Sequence, residues 1–272
     1  MKKGLYISGL LILSIFLLAA CSSVNKAQAP DTPYQEATQS KSNKIVLTIS
    51  AAASLKDALE VIQKQYEQEH PEVTLRFNFG ASGSLQQQIT QGAPVDLFFS
   101  AAEDKFDLLV VEGTILVEDS IDLLSNELVL IVPKKSDIIS SSTDLSTASY
   151  DHIAIGTPET VPAGKYAKAA LERMGIWSII ESKIVFAKDV RQVLSYVETG
   201  NVEAGIVYKT DALISDKVEI TQAVDKSMHE PIIYPVGIVK SSKYYDQAKD
   251  FYHYLQLENT LKVFDEYGFN IR

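Results

Sequence analysis

The sequence predicts an α/β fold divided between two modest domains. Strand signals and helix signals alternate along the chain, which is the pattern of βαβ units around a mostly parallel sheet. With 272 residues and 46% hydrophobic content, the chain can fill a sizeable core, but single cores stop growing near ~250 residues, which favours two. A single cysteine excludes an intramolecular disulfide as the organising principle.

The elements follow in order from local pattern. Ile45-Val46-Leu47-Thr48-Ile49 is a β-branched run that ends on small residues from Ser50 to Ala53, a first buried strand. Leu55, Ala58, Leu59, Ile62 and Tyr66 then recur at helical spacing, and Pro71 follows the break. Thr74 to Phe79 alternates as a strand, Leu85 and Ile89 sit four apart on a short helix, and Asp96 to Ser100 is another strand. Leu128 to Val132 and Ile153 to Ile155 follow as strands. Tyr166 to Met174 is a helix ended by Gly175, and Val190 to Val197 a helix ended by Gly200. Ala204 to Val207 and Tyr234 to Val239 are strands, and helical periodicity runs from Tyr244 to Phe264.

The N-terminus carries a different message. Met1-Lys2-Lys3 precedes an uncharged stretch from Gly4 to Ala20, the basic and apolar regions of a secretory signal. It closes on Leu18-Ala19-Ala20-Cys21, which resembles the lipobox of bacterial lipoproteins and makes Cys21 the lipidated first residue of the mature chain. The protein is then extracytoplasmic and tethered to the cell membrane. Ser22 to Asn43 contains almost no large aliphatic residue and cannot bury enough surface to order itself. As a random coil it reaches roughly 25 Å, enough to lift a folded body clear of lipid headgroups.

Charge and composition narrow the function. Thirty-five acids oppose 25 bases, and loss of Lys2 and Lys3 with the signal leaves 23 bases and a net charge of −12. That balance argues against nucleic-acid binding, which needs a basic footprint. The lone cysteine excludes multi-cysteine metal sites, and His70, His152, His229 and His253 are too widely spaced for a local metal motif.

Four segments place small or hydroxyl residues just before a helix that follows a strand: Ala52-Ala53-Ser54-Leu55, Gly80-Ala81-Ser82-Gly83-Ser84, Val161-Pro162-Ala163-Gly164 and Asp189-Val190. Helix N-termini present unpaired N–H groups and the positive end of the dipole, so several that converge can hold a dianion without any cationic side chain. Each segment also reads as an ordinary helix start. Ser54 with Asp57 is a capping-box-like pair, Ser82 or Ser84 an N-cap, Pro162 a first-turn proline and Asp189 a cap. A hydrolase is the alternative of another class: Gly80 to Ser84 is one glycine short of a nucleophile elbow at Ser82, with Asp189 or Asp211 and His229 or His253 as triad partners.

Taken together with Gly92-Ala93-Pro94-Val95-Asp96-Leu97-Phe98, Gly205-Ile206-Val207-Tyr208, Asp211-Ala212 and the ending Tyr267-Gly268-Phe269, these segments resemble the molybdate-binding proteins of bacterial ABC importers, from about Lys44 to Arg272. The resemblance implies a two-lobed periplasmic-binding-protein fold of type II. Its lobes are 44–127 plus 235–272, and 128–234, joined by two hinge crossings. It implies a monomer that is not an enzyme, closes on one molybdate or tungstate ion and passes it to a membrane permease. No cofactor and no metal-cation ligand are called for. Ser54 and Ser82 would hold the oxyanion from one lobe; the backbone N–H groups of Ala163 and Val190 and the hydroxyl of Tyr208 would hold it from the other. From bare sequence Tyr208 reads as a core residue at a strand end. A binding protein for sulfate or another oxyanion is the nearest alternative.

Overall fold

The computed structural model describes residues 44–134, 141–146 and 150–272; the signal-like segment, Cys21 and the tether to residue 43 lie outside them. β1 (Ile45–Ala52) opens the fold with Leu47, Ile49 and Ala51 fully buried. A 3-10 turn at Ala53–Leu55 leads into α1 (Lys56–Glu69), which buries Ala58, Leu59, Ile62 and Tyr66, the stripe that the spacing predicts. β2 (Val73–Gly80), α2 (Ser82–Thr90) and β3 (Leu97–Phe99) follow. β3 is covered on both faces: Leu97 and Phe99 join the main core, while Phe98 packs with Leu85, Ile89, Phe106 and Leu109 on the other side. An all-apolar run is what such a strand requires.

Two elements come next that the sequence pattern does not announce. α3 (Glu103–Val111) buries only Phe106 and Leu109, too few to make a stripe. β4 (Ile115–Ser125) buries Ile115, Asp119, Leu123 and Leu124, the first three four residues apart as in a helix, and its pairing with the neighbouring strand shifts register twice.

The chain then crosses at Asn126 and Glu127 to β5 (Leu128–Pro133), followed by β6 (Ile153–Gly156) and α4 (Pro162–Arg173). α4 starts four residues before the predicted Tyr166, since Pro162 occupies its first turn, where a missing N–H costs nothing. After it come α5 (Trp177–Ile180), β7 (Ile184–Ala187), α6 (Val190–Glu198), β8 (Ala204–Tyr208), α7 (Lys209–Leu213) and β9 (Val218–Ala223). β7 and β9 are largely half-buried or exposed edge strands, which is why their sequences carry no buried run. The return crossing leads to β10 (Ile233–Val239), α8 (Tyr245–Tyr254), α9 (Glu258–Glu266) and β11 (Asn270–Ile271). The predicted helical tail is thus two helices, separated where Leu257 turns extended with ψ 144.

These strands form two sheets, in the orders β11-β4-β10-β3-β1-β2 and β7-β6-β8-β5-β9. Both are mixed, where the alternation had suggested mostly parallel pairing. β1, β2 and β3 run parallel, as do β6, β7 and β8, but β10 is antiparallel to β3 and β4, and β5 is antiparallel to β8 and β9. The cause is the double crossing. A strand arriving from the other lobe enters at the end where the parallel strands finish, so it must run against them. Pro235 sits within the central strand β10 at one of its register shifts, where a missing donor is tolerated. The result is a two-lobed type II α/β fold with the C-terminal ends of both parallel sets facing the cleft, the place where open α/β sheets bind ligands.

Candidate functional site

Strand register brings the cleft ends together. Ala52 pairs with Gly80 and Ala51 with Phe99, so the turns after β1, β2 and β3 emerge side by side. In the second sheet Gly156 pairs with Ala187, which sets the starts of α4 and α6 next to each other. Between the lobes lies a small cavity, with about 10 Å3 of room for a water centre. Ala53, Ser54, Ala81, Ser82 and Ala101 line it from one lobe; Val161, Ala163, Val190 and Tyr208 line it from the other. All five residues singled out for ligand contact, Ser54, Ser82, Ala163, Val190 and Tyr208, are on this wall and buried.

Its chemistry is that of neutral donors. The residues at the N-cap positions of the first 3-10 turn, α2 and α4 are Ala52, Ala81 and Val161, none with a side chain able to accept an N–H, and no side-chain cap bond forms there. The first-turn N–H groups of these elements are left without a side-chain cap in a buried place, which is costly unless something else accepts them. The capping account fits only Asp189, whose carboxylate accepts the Gln192 N–H at 2.9 Å.

Ser82 does not cap α2. Its hydroxyl accepts the Ala101 N–H at 2.9 Å, which holds the turn after β3 against the cavity. Ser54 forms no capping box either. Its hydroxyl meets the Tyr234 hydroxyl at 3.0 Å, and Asp57 reaches across the cleft to Arg191. Tyr208 donates to the Ala101 carbonyl of the opposite lobe at 3.4 Å, a long bond that leaves most of the donor's strength unused. Burial pushes its phenol well above the ordinary value, so it remains a donor.

Tyr234 and Asn126 are the residues that sequence reading missed. Asn126 donates to the hydroxyls of Tyr234 at 3.1 Å and of Thr210 at 2.9 Å, and its own side-chain oxygen accepts the Glu127 N–H at 2.8 Å. Asn126 is at one crossing and Tyr234 is the second residue of the strand after the other, so a chain of buried polar groups ties both crossings to Ser54. A buried tyrosine near the start of an apolar strand looks like core in sequence; the polar Asn126 between two strands was the signal available.

Cations stand beside the cavity without lining it. Arg191 of α6 pairs with Asp57 of α1 across the cleft, and its Nε is 2.8 Å from Asp211. Burial pushes Asp211 up to about 7, although Arg191 acts in the opposite direction. On another flank Lys165 of α4 meets Asp104 of α3 at 3.2 Å. Both pairs join the lobes and leave the interior to hydroxyl and backbone donors.

The hydrolase alternative finds no support in this geometry. Ser82 bonds Ala101, Asp189 caps α6, and Asp211 faces Arg191. His229 lies tilted against Tyr166, ring centroids 5.8 Å apart, with its Nδ1 2.7 Å from the Glu230 carbonyl, while His253 is exposed on α8. Among the described residues, no group of three or more His, Cys, Asp or Glu is placed to hold a metal ion.

Known proteins share this architecture. The chain is 52% identical to a Bacillus subtilis protein named "Putative ABC transporter substrate-binding lipoprotein YvgL", over 98% of each chain. It is 37% identical to the molybdate-binding protein ModA of Escherichia coli, over 83% of this chain and 89% of that one. The structure of the periplasmic molybdate-binding protein of Azotobacter vinelandii superposes with a TM-score of 0.76 at 23% identity, covering 83% and 99% of the two chains, and so shares the fold. The family model for bacterial extracellular solute-binding proteins matches residues 47–270, and with the two-lobed fold and the cleft between its sheets, this places the chain in that family.

Proposed function

We propose that this protein captures molybdate, and tungstate with it, outside the cytoplasmic membrane and delivers the ion to the permease of an ABC importer. The observation that carries the reading is the lining of the small cavity between the lobes: two serine hydroxyls, a tyrosine hydroxyl and uncapped helix starts face it together. The donors suit a compact anion with oxygen on every side. Ser54 and Ser82 donate from one lobe; Tyr208 and the N–H groups at Ala163 and Val190 donate from the other. A neutral donor set also favours a fully deprotonated dianion, because an anion carrying its own O–H would place donor against donor. The names of the relatives at 52% and 37% identity agree with a transport role and with molybdate.

A thermal-shift panel on the full-length protein tests the ligand. A ligand that binds only the folded state stabilises it by about 2.7 kcal/mol at a hundredfold excess over Kd. Molybdate and tungstate are expected to raise the melting temperature by several degrees, and sulfate and phosphate at equal concentration by much less. An equal shift with sulfate would transfer the assignment to a broader oxyanion binder.

The anchor belongs to the same reading. Lipid on Cys21 would keep the binding protein at the membrane surface near its permease, and the residues between Cys21 and Lys44 would supply the reach. Replacing Cys21 with alanine removes the chain's one thiol. Radiolabelled palmitate is expected to mark the parent protein and not Cys21→Ala; persistent label in the variant would refute lipidation at this residue.

A further inference from the structure

Gly83, in the first turn of α2, faces the other lobe. A Cβ built on it would lie 2.8 Å from the Thr160 carbonyl oxygen, 2.9 Å from its Cα and 3.2 Å from its carbonyl carbon, and these are the three nearest atoms. The Gly83 N–H donates to the same oxygen at 2.9 Å. Two backbones therefore touch across the cleft, with no side chain between them.

Thr160 has little freedom to yield. The Thr157 N–H and hydroxyl both donate to the Ala187 carbonyl, at 2.8 and 3.1 Å, and the N–H groups of Thr160 and Val161 return to the Thr157 carbonyl at 3.1 and 2.8 Å. The turn is pinned to the end of β7 on one side and continues into α4 on the other.

We propose that Gly83 is the gate to cleft closure: only a residue without a side chain lets α2 approach Thr160 far enough for the donors of the two lobes to converge. An ordinary carbon contact needs about 3.5 Å, so any Cβ at position 83 stops the lobes more than half an ångström short. Tyr208, Ala163 and Val190 then stand off from Ser54 and Ser82, and hydrogen bonds to a shared ion lengthen together. The open form feels none of this. With the lobes apart, alanine is the better helix former, so Gly83→Ala moves closure and stability in opposite directions, a signature that damage to one lobe does not produce.

The inference rests on the oxyanion reading only for its ligand, and two measurements separate them. Calorimetric titration of the full-length protein is expected to show Gly83→Ala binding molybdate at least tenfold more weakly, with a ligand-free melting temperature equal to or above that of the parent. Closure without ligand is read by cross-linking Asp104→Cys to Lys165→Cys with a short bismaleimide in a Cys21→Ser background. The intramolecular cross-link is expected to form at least fivefold more slowly when Gly83 is alanine. Thr160→Ala is expected to match the parent in both, since backbone atoms make the contact. Equal cross-linking rates with and without the glycine overturn the gate, as does equal molybdate affinity. Should no variant bind molybdate, the proposed ligand falls while the cross-linking comparison still decides the role of Gly83.

Discussion

Gly164→Ala is expected to lower the melting temperature by about 6 to 12 °C and to remove tight oxyanion binding. A Cβ on Gly164 would lie 1.9 Å from the Gly156 carbonyl oxygen and 2.4 Å from its carbon, so helix meets strand through backbone alone. Neither partner is the far end of a flexible side chain, and Gly156 is itself tight against Val161. Relief requires α4 to lift from β6. Overpacking of this kind costs about 3 kcal/mol at the upper end of its usual range, and a protein of this size loses roughly 2 to 4 °C per kcal/mol. Because Ala163 is the neighbouring residue in the first turn, the same displacement moves a proposed ligand donor. Differential scanning calorimetry with titration of molybdate checks both effects. An unchanged melting temperature would mean that the α4–β6 approach has slack that the close contact conceals.

The second large effect is expected at Tyr208. Tyr208→Phe keeps the ring, which packs edge-on to Tyr234 at 5.7 Å between centroids, and deletes one donor. The bond lost in the protein itself is the long one to Ala101, so ligand-free stability should change little. Removing a donor to a charged acceptor costs about 1.5 to 3 kcal/mol, or about ten- to a hundredfold in Kd. Since the hydroxyl acts across the cleft, the loss should appear mainly as faster release. Stopped-flow dissociation of molybdate reads it directly, and parental affinity with a parental off-rate would leave Tyr208 as a packing residue only.

What could be read from the sequence depended on how locally each feature is encoded. Buried runs such as Leu128–Val132 and the Leu55 to Tyr66 stripe of α1 declare themselves within one window. β4 does not, because its burial follows a helix-like period, and β7 and β9 do not, because edge strands bury little. The small residues before α2 and α4 were legible as anion-friendly helix starts, since N–H groups are a property of the backbone that any short side chain exposes. The direction of β10 and the bond from Ser54 to Tyr234, 180 residues away, are set by the crossing of the chain. Gly83 and Thr160 meet through backbone atoms, so nothing in their side-chain pattern announces the contact.

The placement of β10 also bears on the order in which the chain can fold. In the first sheet β10 alone joins the β3-β1-β2 set to the pair formed by β4 and β11. The second sheet is assembled entirely from Leu128 to Ala223, a continuous stretch with shorter loops to close. The second sheet thus needs nothing beyond Ala223, whereas the first has no strand to join β3-β1-β2 to β4 until Ile233–Val239 is in place, and β11 comes later still. Non-local pairings of this kind slow folding. The first sheet therefore cannot be finished before the last forty or so residues, on the order of one-seventh of the chain, are available to it.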